Sequence, residues 1–212
     1  DYSDGGCPSL LLENSSTNLI VQSELFSDAY WTKNGSSVTS GFVSPKGDLS
    51  AFKLVESTST GTHRLVATNI PSSAVPYSFK VYVKAGESSK IAIREAASTG
   101  LYATFDLSNG TVISTIATSA SINLINEGWY EISYTFTGGA NTQVAIHNLA
   151  STYISGNPDV SYTGDGTSGV YIYGAQLEQN SYATSYIKTV GTTQTRSADT
   201  ANGAGNASTF ND

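Results

Sequence analysis

Methionine is missing from this 212-residue chain, cysteine occurs once, and charged side chains make up only 13% of it. The single Cys7 rules out an internal disulfide, so stability has to come from a buried core. A lone thiol near a terminus reads as a bystander rather than a nucleophile. Because no methionine stands even at position 1, we expect an excised piece of a longer polypeptide or a mature product, in which a targeting signal is not readable. No apolar run approaches the roughly 20 residues of a membrane-spanning helix. Helical periodicity is nearly absent. His63 and His147 lack the neighbours of a zinc or metalloprotease motif, and no GxSxG nucleophile elbow occurs. The net charge of −7 argues against a generally basic nucleic-acid binder.

What is present is polar, rich in tyrosine (13 residues) and punctuated by 20 glycines, a composition common in extracellular β domains. Alternating runs bounded by Gly, Asn and Ser predict strands at Leu10–Leu12, Ser37–Val43, Ala51–Val55, His63–Ile70, Tyr77–Ala85, Lys90–Ala96, Ala103–Leu107, Thr111–Ala117, Ala120–Leu124, Trp129–Thr137, Gln143–Asn148 and Gly169–Gln176. Asn109-Gly110 is the clearest hairpin signal. Ser23 to Trp31 is read as containing one helical turn. The fold class expected is all-β, a two-sheet antiparallel sandwich of jelly-roll type. It should occupy residues 1–188, with 189–212 a Gly/Ala/Thr/Asn-rich linker or lead-in to a further domain. Parity places Phe79, Val81, Val83, Ile91, Ile93, Phe105, Leu107, Tyr130, Ile132, Tyr134, Phe136, Val144, Ile146, Val170 and Ile172 in the core. Trp31 and Trp129 read as packing residues.

Charge is unevenly spread. Residues 1–100 carry eight Lys and Arg against nine acids, and residues 101–212 carry two against eight. Seven of the ten basic residues lie between Lys46 and Arg94. Several alternate with apolar partners, as Lys80, Tyr82 and Lys84 do with Phe79, Val81 and Val83. The outward parity gives Lys80, Tyr82, Lys84, Arg94, Tyr102, Thr104, Asp106, Glu131, Gln143 and His147, joined by His63 or Arg64 according to a register that the sequence leaves open. Sugar recognition needs an aromatic platform for the apolar ring face, and Arg adds two-pronged capture of carboxylate or sulfate. The expected site is therefore one shallow face, with Tyr82 and Tyr102 stacking on sugars and Arg64 and Arg94 pairing with anionic groups. Lys80, Lys84 and His147 would assist.

Six stretches carry a family resemblance. Asn18-Leu19-Ile20 with Glu24-Leu25-Phe26-Ser27-Asp28-Ala29-Tyr30-Trp31-Thr32, then Pro76–Ala85, then Gly169–Glu178 resemble the start, a central strand and the last strand of jelly-roll carbohydrate-binding modules attached to xylanases and cellulases. Cys7–Glu13, Gly128-Trp129-Tyr130 and Ala183–Ile187 resemble modules of phage tail or head-fibre proteins and of marine polysaccharide-degrading enzymes. The resemblance spans roughly residues 5–198. It implies non-catalytic glycan binding and a structural Ca²⁺, for which Glu24, Asp48 and Glu178 are the carboxylates nominated. The resulting expectation is an extracellular, secreted, monomeric module that binds an acidic (uronate or sulfated) polysaccharide and neither nucleic acid nor membrane. A phage fibre or virion adhesin domain and a polysaccharide lyase, with Tyr82 or Tyr102 as acid and His147 as base, are the alternatives. Asp106 and Glu131 are weighed as a hydrolytic pair.

Overall fold

The computed structural model describes residues 12–70 and 73–200. Cys7 and most of the Leu10–Leu12 segment lie outside these residues. In chain order the strands are Ser16–Asn18 (β1), Trp31–Asn34 (β2), Ser36–Phe42 (β3), Ala51–Glu56 (β4), Thr60–Gly61 (β5), His63–Ile70 (β6), Pro76–Ala85 (β7) and Lys90–Glu95 (β8). They continue with Tyr102–Asp106 (β9), Thr111–Thr115 (β10), Ser119–Asn126 (β11), Trp129–Thr137 (β12), Thr142–Leu149 (β13), Tyr162–Thr163 (β14), Gly169–Glu178 (β15) and Gln194–Arg196 (β16). Two antiparallel six-stranded sheets result. The first runs β10-β9-β8-β13-β6-β2 and the second β11-β12-β7-β15-β4-β3. The expected all-β sandwich is thus the observed fold. The Ser23–Trp31 segment forms turns closed by Asp28 N–H to Leu25 O (3.1 Å) and Trp31 N–H to Asp28 O (3.2 Å), not a helix.

Alternation along each strand puts one set of side chains between the sheets. Phe79, Val81 and Val83 from β7 meet Ile91 and Ile93 from β8, Phe105 from β9 and Ile146 from β13 in one fully buried cluster. Of the fifteen core residues expected, fourteen are buried and Tyr130 packs half-buried against them. Trp31 is buried as expected, its indole N–H bonded to Gln22 O (2.8 Å).

The central strand β15 is where simple alternation fails. Its pairing with β7 slips between Tyr173 and Gln176, and Gly174 there has a φ of 60°. One extra residue resets the parity, so Ala175 and Leu177 point inward beside Ile172, and Gln176 and Glu178 outward. Gly174 is also closely approached: a Cβ at this position would lie 3.0 Å from the Tyr82 ring and 3.2 Å from the Tyr186 ring.

The ordered domain extends beyond the boundary expected at residue 188. Thr189 is buried, its N–H donates to Ser23 Oγ (2.8 Å) and its hydroxyl to Ile20 O (2.6 Å). β16 pairs with β1, and Asn18 ties both chain ends to β15 by bonding Ile187 O (2.8 Å) and Ala175 O (3.2 Å). The polar composition of Thr189–Arg196 concealed this because the segment is held by backbone pairing rather than by apolar burial.

Replacing Gly174 by Ala should cost about 1–2 kcal/mol of stability from the left-handed backbone alone, plus the displacement of two rings. Gly47→Ala, also at positive φ but with open space around it, isolates the backbone part. Urea denaturation should show Gly174→Ala as clearly the worse of the two, and equal losses would remove the role assigned to ring packing.

Candidate functional site

The parity reading placed the nominated side chains outward, but not on one face. The Gly86–Ser89 connection carries the chain from β7 in the second sheet to β8 in the first, and outward then points in opposite directions. Lys80, Tyr82 and Lys84 lie on the outer face of the second sheet, whereas Arg64, Arg94, Tyr102 and His147 lie on the outer face of the first. The single shared trough is therefore corrected to two faces separated by the core. Asp106 and Glu131 are likewise divided between β9 and β12, so they cannot flank one glycosidic bond.

On the second sheet, register aligns Thr39, Lys53, Tyr171, Lys84 and Trp129 across β3, β4, β15, β7 and β12. The next row holds Tyr173, Tyr82 and Glu131. Two segments cover this surface. The loop 43–50 crosses it as a strap, held at its far side where the Asn126 side-chain amide donates to Pro45 O (3.0 Å). Its Lys46 ammonium stands 4.9 Å from the centre of the Tyr173 ring, a cation–π arrangement. The C-terminal segment places Tyr186 against Tyr82 and Tyr173, with ring centroids 5.9 and 6.0 Å apart. Trp129 (1% exposed) and Tyr173 (2%) are thereby buried as a floor, and Phe42, Tyr82, Tyr171 and Tyr186 remain half-buried above it. Trp129 is a packing residue, as expected, although in this outer cluster rather than in the main core.

The charges on this face are mostly matched. Lys80 is only 3% exposed, donating to Thr184 O (2.6 Å) and Glu131 (3.1 Å). It is therefore withdrawn from ligand binding by the C-terminal segment. Lys53 pairs with Glu87 (2.5 Å). Burial and the neighbouring Glu131 carboxylate push the Tyr82 phenol well above its ordinary range, so it acts as a hydrogen-bonding hydroxyl. Lys84 is different. Among the described residues it is the one cationic side chain that makes no ion pair or hydrogen bond, every other Lys and Arg making at least one.

On the first sheet, Arg64 of β6 and His147 of β13 are direct cross-strand partners, and Arg94 of β8 is diagonal to them. This settles the open register: Arg64 faces out, while His63 is buried, with Nε2 3.1 Å from Tyr162 O. The loop 150–161 folds back so that Asp159 pairs with Arg64 (2.9 Å) and with Arg94. His147 lies beneath, its Nε2 3.8 Å from Asp159 Oδ1. Complete burial, and then the Arg64 and Arg94 charges, lower the His147 pKa to about 3, so this approach is not an ion pair at neutral pH. Tyr102 is 8% exposed beside Arg94, which leaves little ring for a sugar.

The carboxylates nominated for calcium are not brought together. Glu24 and Asp48 meet across the Lys46 ammonium, at 3.5 and 3.6 Å. Burial would raise the Glu24 pKa, but hydrogen bonds from Lys188 (2.6 Å) and Tyr173 (2.5 Å) outweigh it and hold the carboxyl below its usual value. Glu178 is enclosed elsewhere by the Ser16 hydroxyl (2.5 Å) and by Thr184 N–H (2.9 Å) and hydroxyl (2.5 Å). Among the described residues no group of three or more His, Cys, Asp or Glu is placed to hold a metal ion.

Sequence reasoning missed Tyr171 and Tyr173, although their alternation with Val170 and Ile172 carried the signal. It also missed Lys46 and Asp159, which stand in loops where parity gives no direction.

No protein-family model matches the sequence, and no curated protein does. Fifteen chains among solved structures match. One is the enzymatically active domain of tailspike protein 4 of bacteriophage CBA120, with a TM-score of 0.41 and 13% identity over 76% of this chain and 21% of that one. Another is the CBM22-1 xylan-binding domain of Paenibacillus barcinonensis Xyn10C, with a TM-score of 0.40 and 10% identity over 79% of this chain and 94% of that one. A third is a carbohydrate esterase of the Shiga toxin-encoding bacteriophage phi24B, with a TM-score of 0.43 and 14% identity over 78% and 99%. This chain spans about a fifth of the tailspike chain. Of these three, one is named as a xylan-binding domain and the other two are phage proteins, an enzymatically active tailspike domain and a carbohydrate esterase. At such identities and TM-scores they decide nothing about a ligand.

The His147 pKa gives a pH dependence with a defined sign. An unfolded histidine takes up a proton near pH 6.5, and the folded one does so only near pH 3. Between these values the unfolded state binds more protons, so stability falls as pH falls. From pH 7 to 5.5 this amounts to about 1 kcal/mol. In His147→Gln that part of the loss should vanish in urea titrations at the two pH values, and identical losses in both proteins would contradict it.

Proposed function

We propose that this chain is a non-catalytic carbohydrate-binding module that holds an acidic polysaccharide on the outer face of its second sheet. The observation that carries the reading is the row Lys53–Tyr171–Lys84–Trp129. It combines a half-exposed aromatic ring with a cation that no protein carboxylate neutralises. Tyr171 and Tyr82 offer ring faces on which the apolar side of a pyranose can lie, and the buried Trp129 and Tyr173 keep those rings from collapsing inward. Lys84 supplies the charge for a uronate carboxylate or a sulfate. An unpaired, half-buried lysine binds such groups modestly and with strong salt dependence.

The placement of the other candidates supports binding over catalysis. Asp106 is bonded to Lys90 (2.5 Å) and to Ser108 (2.6 Å), and Glu131 to Lys80, so neither is poised for proton transfer. With Asp159 in place, His147, 1% exposed beneath it, is shut off from a sugar ring as a lyase base. One observation favours the second reading, a fibre or virion domain that packs against other subunits. The edge strand β11 exposes Leu124 (64%) and Ile125 (46%). Light scattering separates the two readings, since stable trimers would favour the fibre.

Affinity electrophoresis and calorimetry against polygalacturonate, alginate and a sulfated galactan, with neutral xylan as control, test the proposal. Tyr171→Ala and Lys84→Ala should each weaken binding of the acidic polymers by about tenfold, roughly 1.4 kcal/mol. The effect of Lys84→Ala should shrink at 0.5 M salt or so. Equal retention of neutral and acidic polymers, or wild-type affinity in both variants, would overturn it.

A further inference from the structure

The opposite face of the sandwich carries a group that the proposed glycan face does not use. Arg64, Arg94 and His147 converge from three adjacent strands, β6, β8 and β13, where sheet register fixes their spacing. Placing two guanidiniums side by side is unfavourable without an anion between them, and the anion present is Asp159. It is an incomplete occupant. A carboxylate has two oxygens, and here both are directed at guanidinium Nη atoms, leaving Arg64 Nε and His147 Nε2 buried with no hydrogen-bond partner. These unmet groups call for an anion with more than two oxygens.

Asp159 reaches the cradle from outside the sheet. Its loop is largely exposed, and it is anchored by Tyr153, whose ring packs on Ala92 and Leu149 and whose hydroxyl bonds Gly156 O. The Asp159 side chain itself is 30% exposed. Because the adjacent Pro158 is buried, release of the carboxylate would come from rotation of the Asp159 side chain, with no strand of either sheet displaced.

We propose that Arg64, Arg94 and His147 form a second, independent binding site for a sulfate group, as borne by a sulfated polysaccharide, and that Asp159 is its tethered occupant, displaced by the ligand. A tetrahedral sulfate offers three or four acceptor oxygens, enough to reach both guanidinium forks and the two donors that Asp159 leaves unmet. Neutral His147 suits this role in the tautomer that carries its proton on Nε2, the atom Asp159 leaves unmet. A tethered carboxylate competes at a millimolar-range effective concentration, so the wild-type protein should bind free sulfate weakly. The variant lacking the carboxylate should bind it better.

The experiment uses inorganic sulfate as the probe, so its result is independent of whether a polysaccharide binds the second sheet. Thermal unfolding and calorimetry are compared for the wild type, Asp159→Ala, Asp159→Asn and Arg94→Ala/Asp159→Ala, in sodium sulfate and in sodium chloride of equal ionic strength, with acetate as a planar control. Asp159→Ala should be less stable than the wild type in chloride. Sulfate should restore it saturably, at a half-saturating concentration about tenfold below that of the wild type, and the double variant should lose this response. Should Asp159→Ala fail to fold, Asp159→Asn carries the same expectation, since it removes the charge and keeps the shape. Equal sulfate responses in all four proteins would mean a general salt effect and overturn the site. A response to acetate matching that to sulfate would overturn the sulfate assignment.

Discussion

The buried seam where β7 of one sheet packs on β8 and β13 of the other is the constraint on which everything else depends. Phe79, Val81 and Val83 cannot turn outward without removing the centre of the core, so Lys80, Tyr82 and Lys84 cannot turn inward. The same seam fixes Ile91 and Ile93, and with them Arg94. Each outer surface is thus written by its inner one. Which outer surface a side chain reaches is decided by strand order, and β7 and β8, consecutive in the chain, belong to different sheets.

The outer face of the second sheet would be an ordinary solvated β surface without its two covering segments. The strap 43–50 and the chain after β15 shield Trp129 and Tyr173 and bring Tyr186 against Tyr82. Gly174 permits this, because its positive φ both resets the parity of β15 and leaves room for two rings beside the backbone. Coverage also sorts the cations. Lys46 and Lys80 are drawn into contacts with carboxylates and rings, and half-buried Lys84 is left without an ion-pair partner. On a body of net charge −7, a single unneutralised lysine acts only within about one Debye length. Under the proposed reading, its selectivity would come from the tyrosines at its side.

Much of the fold was legible in the sequence because alternation is a strong signal wherever one face is buried. His63–Ile70 and Trp129–Thr137 coincide with observed strands, and the core followed from parity. The short strands β1, β2, β5, β14 and β16 were illegible because two to four residues are too few to show a period, and β16 is held by long-range pairing to β1. The candidate site was half legible for a related reason. Parity gave the outward direction of Arg64's neighbours and of Lys84, but no local feature of Gly86–Ser89 announces that the chain changes sheets there. Asp159 was invisible, since its meaning lies in two arginines far away in sequence.

Stacked sheets lie about 10 Å apart, and the side chains of each outer face add to that distance. A stiff polysaccharide segment lying across Tyr171 and Lys84 therefore cannot also reach Arg64 and Arg94. Were both proposed sites to bind, the two faces back to back would not lengthen one binding cleft. They would allow the chain to hold two strands of polymer, or two stretches of a chain that folds around it. The arrangement would then favour dense, multi-strand material over isolated oligosaccharides, because the second contact gains from the effective concentration set by the first. An Asp159 that keeps one face closed until a stronger anion arrives would make that second contact conditional on the substituents of the polymer.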